Sequence, residues 1–285
     1  MNHNVVDGIS ALSFINTWAE MTRGVYLATM LIMDRTILKA QEPAREFHHT
    51  EHDPHPIMIT DNKPLQPESP PKPTTNHVLK MTPDQLSTLK EKANPRSNQS
   101  EVRYSTYEIL SAHIWRCVSK ARSLTDEQTT KLQIPVDARS RMKPPIPRQY
   151  FGNVIVITSA VAVTRELADE SLLQTVGRIR KAISRMDDEY LRSSINYMED
   201  PSNPEGVIEV RPCQSPNLLL VSWMSLPFKG ADFGWGSPTL TRKVDTFEGI
   251  GHLLPRNADG TVSLAICLEA EAMETFKKLF YETGP

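Results

Sequence analysis

Apolar residues recur every three or four positions over residues 9–23, and this spacing predicts an amphipathic helix close to the start of the chain. Gly24 follows the last of these positions and can end the helix. A second start signal is the pair Thr82-Pro83, with Thr82 as N-cap and Pro83 in the first helical position. Similar patterns predict further helices over 34–39, 83–93, 107–122, 172–194 and 270–281.

Runs of β-branched and other apolar residues predict the strands of the chain. The longest run covers 153–163 with little polar interruption, which is typical of a buried strand. Shorter runs predict strands over 76–81, 131–136, 218–223 and 263–268. Helices and strands are mixed without regular βα repetition, so the predicted class is α/β or α+β, built in layers.

The stretch 43–73 differs in character, because prolines are dense along it and histidines crowd its middle. Such proline density is incompatible with regular structure and predicts an extended linker. The histidines have no cysteine partners beside them, so we expect no metal site among His48, His49, His52 and His55.

Composition narrows the possible partners. The chain of 285 residues has a formal charge of −2, which argues against an overall basic surface for nucleic acid. The apolar run over 25–33 is too short to cross a bilayer, and no signal peptide is visible, so we expect a cytoplasmic protein that does not bind membranes. Three scattered cysteines favour reduced thiols over a disulfide framework.

Two short motifs carry candidate chemistry. His3 stands four residues ahead of Asp7-Gly8, and an imidazole can accept a proton near neutral pH and return it later. An exposed histidine in a frayed terminus is the alternative interpretation. The second motif, residues 232–236, reads Asp-Phe-Gly-Trp-Gly and predicts a tight turn beside aromatic packing, with a purely structural turn that buries Trp235 as the alternative.

Together, the two motifs resemble those of the BAHD family of plant CoA-dependent acyltransferases. Segments 9–24, 104–122, 137–153 and 220–236 are similar to the branch that uses hydroxycinnamoyl-CoA with shikimate or quinate. The similarity covers essentially the whole chain, whereas the family's opening part, ahead of the histidine, is not present. The resemblance implies a two-domain CoA-dependent acyltransferase fold, like that of chloramphenicol acetyltransferase, with an incomplete first domain.

The resemblance also implies a division of the chain into three parts. Residues 1–45 are the expected remnant of the N-terminal domain, and residues 46–73 form the crossover linker. Residues 74–285 form the expected C-terminal domain, which includes the Asp-Phe-Gly-Trp-Gly segment. We expect a monomer, since a two-domain architecture closes its own site.

Roles for the motif residues follow from the same resemblance. His3 matches the general base. Asp7, followed by Gly8, matches an aspartate that holds the loop by pairing with an arginine, for which Arg139 is the candidate. Trp235 lies in the diagnostic turn, where its indole N–H either donates to a tetrahedral oxyanion or only packs. The expected structural residues of that turn are Asp232, Gly234, Trp235 and Gly236.

Substrate contacts are implied at three further places. Trp223 and Phe151 are expected to flank an aromatic acyl group, and Val221 is expected to lie near the acceptor. Ser105 and Thr106 precede a predicted helix and can present its N-terminus to the phosphates of CoA, with a plain helix cap as the alternative. The implied reaction uses acyl-CoA as co-substrate and needs neither a metal nor a permanently bound cofactor.

The implied function is transfer of a hydroxycinnamoyl group, such as p-coumaroyl or caffeoyl, from CoA to an alcohol or amine. Relatives that use shikimate or quinate have an arginine where an ungapped count places Ile208, with Arg211 nearby, and a threonine where this chain has Val221. The acceptor is therefore left open between a shikimate- or quinate-like acid and an aliphatic amine such as putrescine. A truncated, non-catalytic remnant of such an enzyme is the alternative.

Overall fold

A six-stranded mixed sheet organises the chain in the computed structural model. The structure describes residues 2–25, 30–40, 47–53, 56–57, 59–60, 63–64, 72–94, 103–200, 214–242 and 247–282.

The strand order in the large sheet is β3-β8-β7-β6-β4-β5, and a separate two-stranded hairpin pairs β1 with β2. Within the large sheet β6 runs parallel to both β4 and β7, and the other neighbours are antiparallel. The strands are β1 (Ile59–Thr60), β2 (Lys63–Pro64), β3 (Thr74–Met81), β4 (Thr129–Asp137), β5 (Ile155–Val163), β6 (Leu218–Ser222), β7 (Ile250–Leu253) and β8 (Val262–Glu269).

The helices begin at residues whose side chains satisfy the first backbone N–H groups. Asp7, Thr82, Ser105 and Ser171 each accept such a bond at the start of a helix. The α-helices are α1 (Gly8–Thr22), α2 (Pro83–Ala93), α3 (Thr106–Ala121), α4 (Thr164–Asp169), α5 (Leu172–Ser184), α6 (Asp188–Glu199) and α7 (Ala270–Tyr281), with short 3₁₀ helices at Arg35–Leu38 and Phe228–Gly230.

The core lies between the large sheet and α3, which packs against α5 and α7. Trp115 of α3 is fully buried, and its indole N–H donates to Thr130 Oγ1 of β4 over 3.2 Å. His113 on the same helix is also buried, and its Nε2 lies 2.9 Å from the carbonyl oxygen of Phe280 in α7. His113 is therefore a core residue, and its burial lowers the pKa of the imidazole.

One edge of the sheet collects the residues that follow its parallel strands. Because β4, β6 and β7 run in the same direction, their carboxyl ends meet at one edge, where ligands commonly bind in α/β sheets. Asp137 at the end of β4 pairs with Ile155 at the start of β5, so β5 begins at this edge. The helix α1 is attached here, since Ser10 Oγ lies 2.8 Å from the Gly152 carbonyl oxygen.

Three predictions about secondary structure need correction. The predicted helix over 172–194 is two helices, because Asp187 stops helical geometry and caps α6 by accepting from Tyr190 N–H over 3.0 Å. The strand β7 was not predicted, since it is only four residues long and contains Gly251 and His252. The short helix α4 was also missed.

The prediction of an extended, irregular linker is wrong for part of the stretch 43–73. The strands β1 and β2 form a small hairpin inside it. Further upstream, His49 and Glu51 are buried, and Tyr190 of α6 donates to Glu51 over 2.8 Å. His49 also lies 2.9 Å from Ser193 Oγ of α6. Polar bonds to α6 therefore hold this segment, and His55 lies outside the described residues.

The cysteines of the described residues, Cys117 and Cys267, are both buried. Burial raises the pKa of Cys117 to about 12, which keeps the thiol protonated. Cys213 lies outside the described residues. Among the described residues, no helix has the length and apolar character needed to cross a membrane.

Candidate active site

A buried ion pair anchors the start of α1. Asp7 caps the helix, its Oδ1 accepting from Ser10 N–H over 2.9 Å, while Oδ2 accepts from Val154 N–H over 3.0 Å. Arg139 Nη1 lies 2.7 Å from Oδ2. Burial opposes ionisation of this carboxyl, but the Arg139 guanidinium and the two backbone donors outweigh it and hold the pKa of Asp7 below its ordinary value.

Arg139 extends the anchor to the loop before β5. Its Nη2 donates to Ser10 Oγ over 3.1 Å and to the Gly152 carbonyl oxygen over 3.3 Å, and its Nη1 also pairs with Asp137 over 3.1 Å. The pairing of Asp7 with Arg139 that the sequence suggested is therefore present. Its importance for the site remains a prediction.

His3 lies in the turn that precedes this anchor, and its side chain is exposed. Asn153 Nδ2 donates to the His3 carbonyl oxygen over 2.9 Å and lies 3.4 Å from the ring atom Nδ1. Among the hydrogen bonds of the described residues, none joins the Asp7 carboxylate to His3. The Asp7 carboxylate is bonded instead to Ser10 N–H, Val154 N–H and Arg139, which favours the predicted structural role over a relay to His3.

Gly8 allows a second loop to approach α1. A Cβ atom at Gly8 would lie 3.1 Å from Leu226 Cδ1, closer than ordinary contact. Further along α1, Asn16 Nδ2 donates to the Pro227 carbonyl oxygen over 3.0 Å. The segment that follows β6 thus runs along α1, in the direction from its N-terminus to its C-terminus.

The Asp-Phe-Gly-Trp-Gly turn continues this segment and holds the last part of α1. Asp232 Oδ1 accepts from the N–H groups of Gly234 and Gly236 over 2.8 and 2.9 Å, and these bonds lower the pKa of Asp232. Asp232 also pairs with Arg23 over 3.6 Å, just past the end of α1. The ring of Phe233 meets Trp18 edge-on, with centroids 5.2 Å apart.

The position of this turn bears on the role of Trp235. The turn pairs with Arg23, whose Nε donates to the Ala19 carbonyl oxygen over 3.4 Å. At a rise of about 1.5 Å per residue, roughly 18 Å of helix separates Ala19 from Asp7. Trp235 is 94% exposed, so the alternative of a turn that buries this indole is wrong. This geometry favours a structural role for the turn over an oxyanion contact beside His3.

The two residues predicted to contact the acyl group lie at different parts of the sheet edge at which β4, β6 and β7 end. Trp223 follows β6, donates its backbone N–H to the Leu253 carbonyl oxygen over 2.8 Å, and meets the ring of His252 at 5.1 Å. Phe151 lies before β5 with its ring 6.4 Å from that of Phe14 in α1. Among the described residues no ring contact joins Phe151 to Trp223. Val221 is half-buried and lies near the carboxyl end of β6, as its second-last residue.

Ser105 and Thr106 open α3 as a well-satisfied cap. Ser105 Oγ accepts from Glu108 N–H over 3.2 Å, and the Glu108 carboxylate accepts from Ser105 N–H over 2.7 Å. Arg180 donates to that carboxylate over 2.8 Å. A carboxylate already stands at this helix N-terminus, which favours the plain cap over a site for CoA phosphates. An open pocket of 410 Å³ lies beside it, between α3, β4 and α5.

Residues that the sequence analysis did not single out complete the site. Ser10, Gly152, Asn153 and Leu226 connect His3 and α1 to the sheet edge. Their partners are far away along the chain, so no local pattern marks them. Within the described residues, no group of three or more His, Cys, Asp or Glu side chains is arranged to hold a metal ion.

Curated relatives resemble the chain along nearly its whole length. It is 41% identical to a hydroxycinnamoyltransferase of Narcissus pseudonarcissus, 39% identical to a shikimate O-hydroxycinnamoyltransferase of Nicotiana tabacum, and 40% identical to a hydroxycinnamoyl-CoA:5-hydroxyanthranilate N-hydroxycinnamoyltransferase of Avena sativa. These similarities cover 98–99% of the chain but only 63–65% of each relative. The chain thus spans slightly less than two thirds of the relatives' length.

Solved structures show the same fold. The TRI101 protein of F. graminearum, solved with coenzyme A and T-2 mycotoxin, superposes with a TM-score of 0.76 at 23% identity, covering 95% of this chain and 61% of that one. The fold is therefore that of the CoA-dependent acyltransferases. The model of the Transferase family matches residues 1–283. By this match and by relatives near 40% identity, the chain belongs to the Transferase family, the BAHD family that its two motifs resemble.

Proposed function

We propose that the protein transfers a hydroxycinnamoyl group from coenzyme A to an alcohol or amine acceptor, with His3 as general base. One observation carries the proposal: His3 stands in a turn that the Asp7–Arg139 pair and Asn153 attach to the carboxyl edge of β4, β6 and β7. The relatives at about 40% identity bear names of hydroxycinnamoyl transfer, which supports the same chemistry.

The reaction requires little beyond positioning and one base. The imidazole of His3 takes the proton from the acceptor O–H or N–H, and the freed lone pair attacks the thioester carbonyl carbon. A C–O or C–N bond forms, the C–S bond breaks, and the departing CoA thiolate receives the proton back from the imidazolium. Thioesters are activated acyl donors, so correct placement of acceptor and thioester supplies much of the rate.

The acceptor is proposed as an alcohol or an amine, because the named relatives include both an O- and an N-acyltransferase. Val221 offers no hydroxyl at the end of β6, which weakens the case for a polyhydroxy acid. Ile208 and Arg211, which bear on carboxylate binding, lie outside the described residues. Trp223 and Phe151 remain the proposed contacts of the aromatic acyl group, whereas Ser105 and Thr106 are proposed as the cap of α3 rather than as contacts of CoA.

The division into a remnant over 1–45, a linker over 46–73 and a C-terminal domain over 74–285 is part of the same proposal. The start of β3 at Thr74 and its place in the large sheet support the last boundary. We further propose that the protein acts as a cytoplasmic monomer, since a two-domain architecture closes its own site.

Thiol release from p-coumaroyl-CoA tests the proposed function. The full-length protein, including any residues that its transcript encodes ahead of residue 1, is prepared for this assay. It is incubated with p-coumaroyl-CoA and with shikimate, quinate, 5-hydroxyanthranilate or putrescine. We expect acceptor-dependent release of CoA and an ester or amide product by mass spectrometry. A non-catalytic remnant predicts no release with any acceptor, and that result would overturn the proposal.

A further inference from the structure

The loop over residues 149–153 is bonded to the turn that carries His3. The Gly152 carbonyl oxygen accepts from Asp7 N–H over 3.3 Å. The side-chain amide of Asn153 donates to the His3 carbonyl oxygen over 2.9 Å. Because both bonds join the loop to residues just ahead of α1, a shift of the loop would move the turn of His3 with it.

A second segment, further along the chain than α1, holds the same loop. Ile32 N–H donates to the Gln149 carbonyl oxygen over 3.0 Å, and Phe151 N–H donates to the Ile32 carbonyl oxygen over 2.8 Å. These two bonds form a short parallel bridge between Ile32 and Tyr150. The 3₁₀ helix that begins at Arg35 follows three residues later, which brings the Arg35 side chain to the loop.

The guanidinium of Arg35 lies against Gly152. A Cβ atom added to Gly152 would lie 2.2 Å from Arg35 Nη1 and 2.4 Å from Tyr150 Cε1, distances at which atoms overlap. The φ of Gly152 is outside the left-handed region, so the backbone conformation does not require glycine at this position. The missing side chain instead leaves space for the Arg35 guanidinium and the Tyr150 ring.

Arg35 also bonds to Tyr150, the buried residue in the middle of this part of the chain. Its Nη1 donates to the Tyr150 hydroxyl over 3.3 Å. Its Cζ lies 5.6 Å from the centroid of the Tyr150 ring, within the range of a cation–π contact. Tyr150 is 2% exposed, whereas Arg35 is exposed. An exposed guanidinium therefore covers a buried residue of the loop, where an ion of the same shape could reach it from solvent.

We propose that Arg35 is a positioning residue for the proposed base: its guanidinium, placed against Gly152 and Tyr150, fixes the loop over 149–153 and, through it, the turn that carries His3. The proposal includes no contact between Arg35 and a substrate. The consequence for catalysis rests on the proposed function, whereas the hold on the loop rests on the geometry alone.

Amide hydrogen exchange tests the hold on the loop without any substrate. The reporters are the N–H groups of Asp7 and Phe151, which donate to Gly152 and Ile32. We expect both to exchange more than about tenfold faster in Arg35→Ala, because the loop opens more often, while the amides of β8 keep their rates. Unchanged rates at the two reporters would overturn the inference. Rates that rise equally in β8 would show only a general loss of stability and would overturn it as well.

Kinetics tests whether the hold on the loop matters for catalysis. Arg185→Ala is the matched control, because Arg185 also lies over a tyrosine ring, with its Cζ 5.5 Å from the centroid of Tyr190, and donates to the Thr158 hydroxyl over 3.1 Å. We expect Arg35→Ala to lower kcat by about 5- to 50-fold, as a misplaced base does, with KM for acyl-CoA changed less than about twofold. Arg185→Ala should keep the kcat of the parent.

Chemical rescue separates a missing guanidinium from a lasting defect of the fold. Guanidinium chloride at about 10–50 mM, far below the concentrations that unfold proteins, should raise the kcat of Arg35→Ala at least about threefold and leave the parent unchanged. Sodium chloride at the same concentration controls for ionic strength. A folded Arg35→Ala protein without rescue would overturn the inference.

Arg35→Lys serves in both measurements if the alanine variant does not fold. A lysine keeps the charge but has no planar group to lie against Gly152 and Tyr150. We therefore expect faster exchange at Asp7 and Phe151 and a kcat lower by about 3- to 10-fold, since the base is again misplaced. Parent-like exchange and kcat in Arg35→Lys would contradict the proposed role of the guanidinium.

The two proposals fail in different ways. If the parent releases no CoA with any acceptor, the proposed function is wrong, and amide exchange alone decides whether Arg35 holds the loop. If the parent is active and Arg35→Ala keeps the kcat of Arg185→Ala, the positioning role is wrong while the proposed function stands.

Discussion

The carboxylate of Asp7 and the guanidinium of Arg139 meet at 2.7 Å across 132 positions of sequence, and both side chains are almost fully buried. Arg139 sits two residues beyond β4, whereas Asp7 caps the first helix. The pair therefore joins the sheet to the loop that carries His3. Removing one partner leaves a buried charge without compensation, which is more costly than replacing both.

Asp7→Ala should lower the free energy of unfolding by about 3–5 kcal/mol, because Arg139 is left buried and Ser10 N–H and Val154 N–H lose their acceptor. Urea unfolding followed by circular dichroism measures this change. The double variant Asp7→Ala with Arg139→Met should recover part of the loss. Additive losses in the double variant would show that the two side chains are not coupled.

Gly234→Ala should destabilise the turn by more than about 1 kcal/mol, since Gly234 has φ of +108° and an alanine there is strained. Space is not limiting, because the nearest atom to an added Cβ is Arg23 Cγ at 3.9 Å. Thermal unfolding compares it with Gly177→Ala in α5, where an added Cβ would make only ordinary contact, at 3.9 Å from the Tyr104 hydroxyl, and helical geometry predicts a gain of about 0.5–1 kcal/mol. Equal effects at the two glycines would contradict the structural role of the turn.

Much of this arrangement is readable from the sequence, as far as it depends on local pattern. The spacing of apolar residues predicts α1 to within one residue at each end, and the Thr82-Pro83 signal predicts the start of α2. Asp187 lies within the single helix predicted over 172–194, because a cap and an exposed helical aspartate look alike in a sequence. The structure resolves the two by the bond from Tyr190 N–H.

The motif residues of the candidate site could be named from the sequence, whereas the residues that bond to them could not. Arg139 was found through the family resemblance, and its pairing with Asp7 is present. The sequence does not identify Asn153 and Leu226 as site residues, since their contacts with His3 and Gly8 arise only when distant segments meet. The exposure of Trp235 was also not predictable, because glycines on both sides fix the backbone path without fixing where the indole points.

Glu248 should make stability depend on pH in a definite direction. Burial and the nearby Glu269 carboxylate raise the pKa of Glu248 to about 7, despite the ion pair with Arg122. A raised carboxyl pKa favours folding at low pH, and that contribution is lost as the pH rises from about 4.5 to about 7. Glu248→Gln should therefore gain stability relative to the parent between pH 5 and pH 8, by at most about 3 kcal/mol.

Chemical denaturation of both proteins at each pH provides the measurement. The comparison is made as a difference, because the buried His113 has a lowered pKa and destabilises both proteins as the pH falls below its ordinary value. Glu269 has a lowered pKa and acts only below its ordinary range, outside the pH window used. A difference between variant and parent that stays constant from pH 5 to pH 8 would contradict the raised pKa of Glu248.

The apolar stripe Phe14, Trp18 and Met21 on α1 should bind a hydrophobic dye. These side chains are 46–59% exposed and recur at helical spacing on one face. Phe14→Gln with Met21→Gln should reduce dye fluorescence by more than half, whereas Val78→Thr, at a single exposed position on the edge strand β3, should leave it nearly unchanged. Similar small effects in both proteins would show that the stripe is not an accessible surface.

The proposed base can be tested most directly by single-turnover release of CoA from p-coumaroyl-CoA in His3→Ala, with an acceptor that the parent uses. The control is His77→Ala on β3, which is the outermost strand on the side of the sheet away from β5. We predict that His3→Ala loses about 10²–10⁴-fold in rate while His77→Ala keeps the rate of the parent. An active parent whose rate survives in His3→Ala would contradict the assignment of the base and, with it, the central claim.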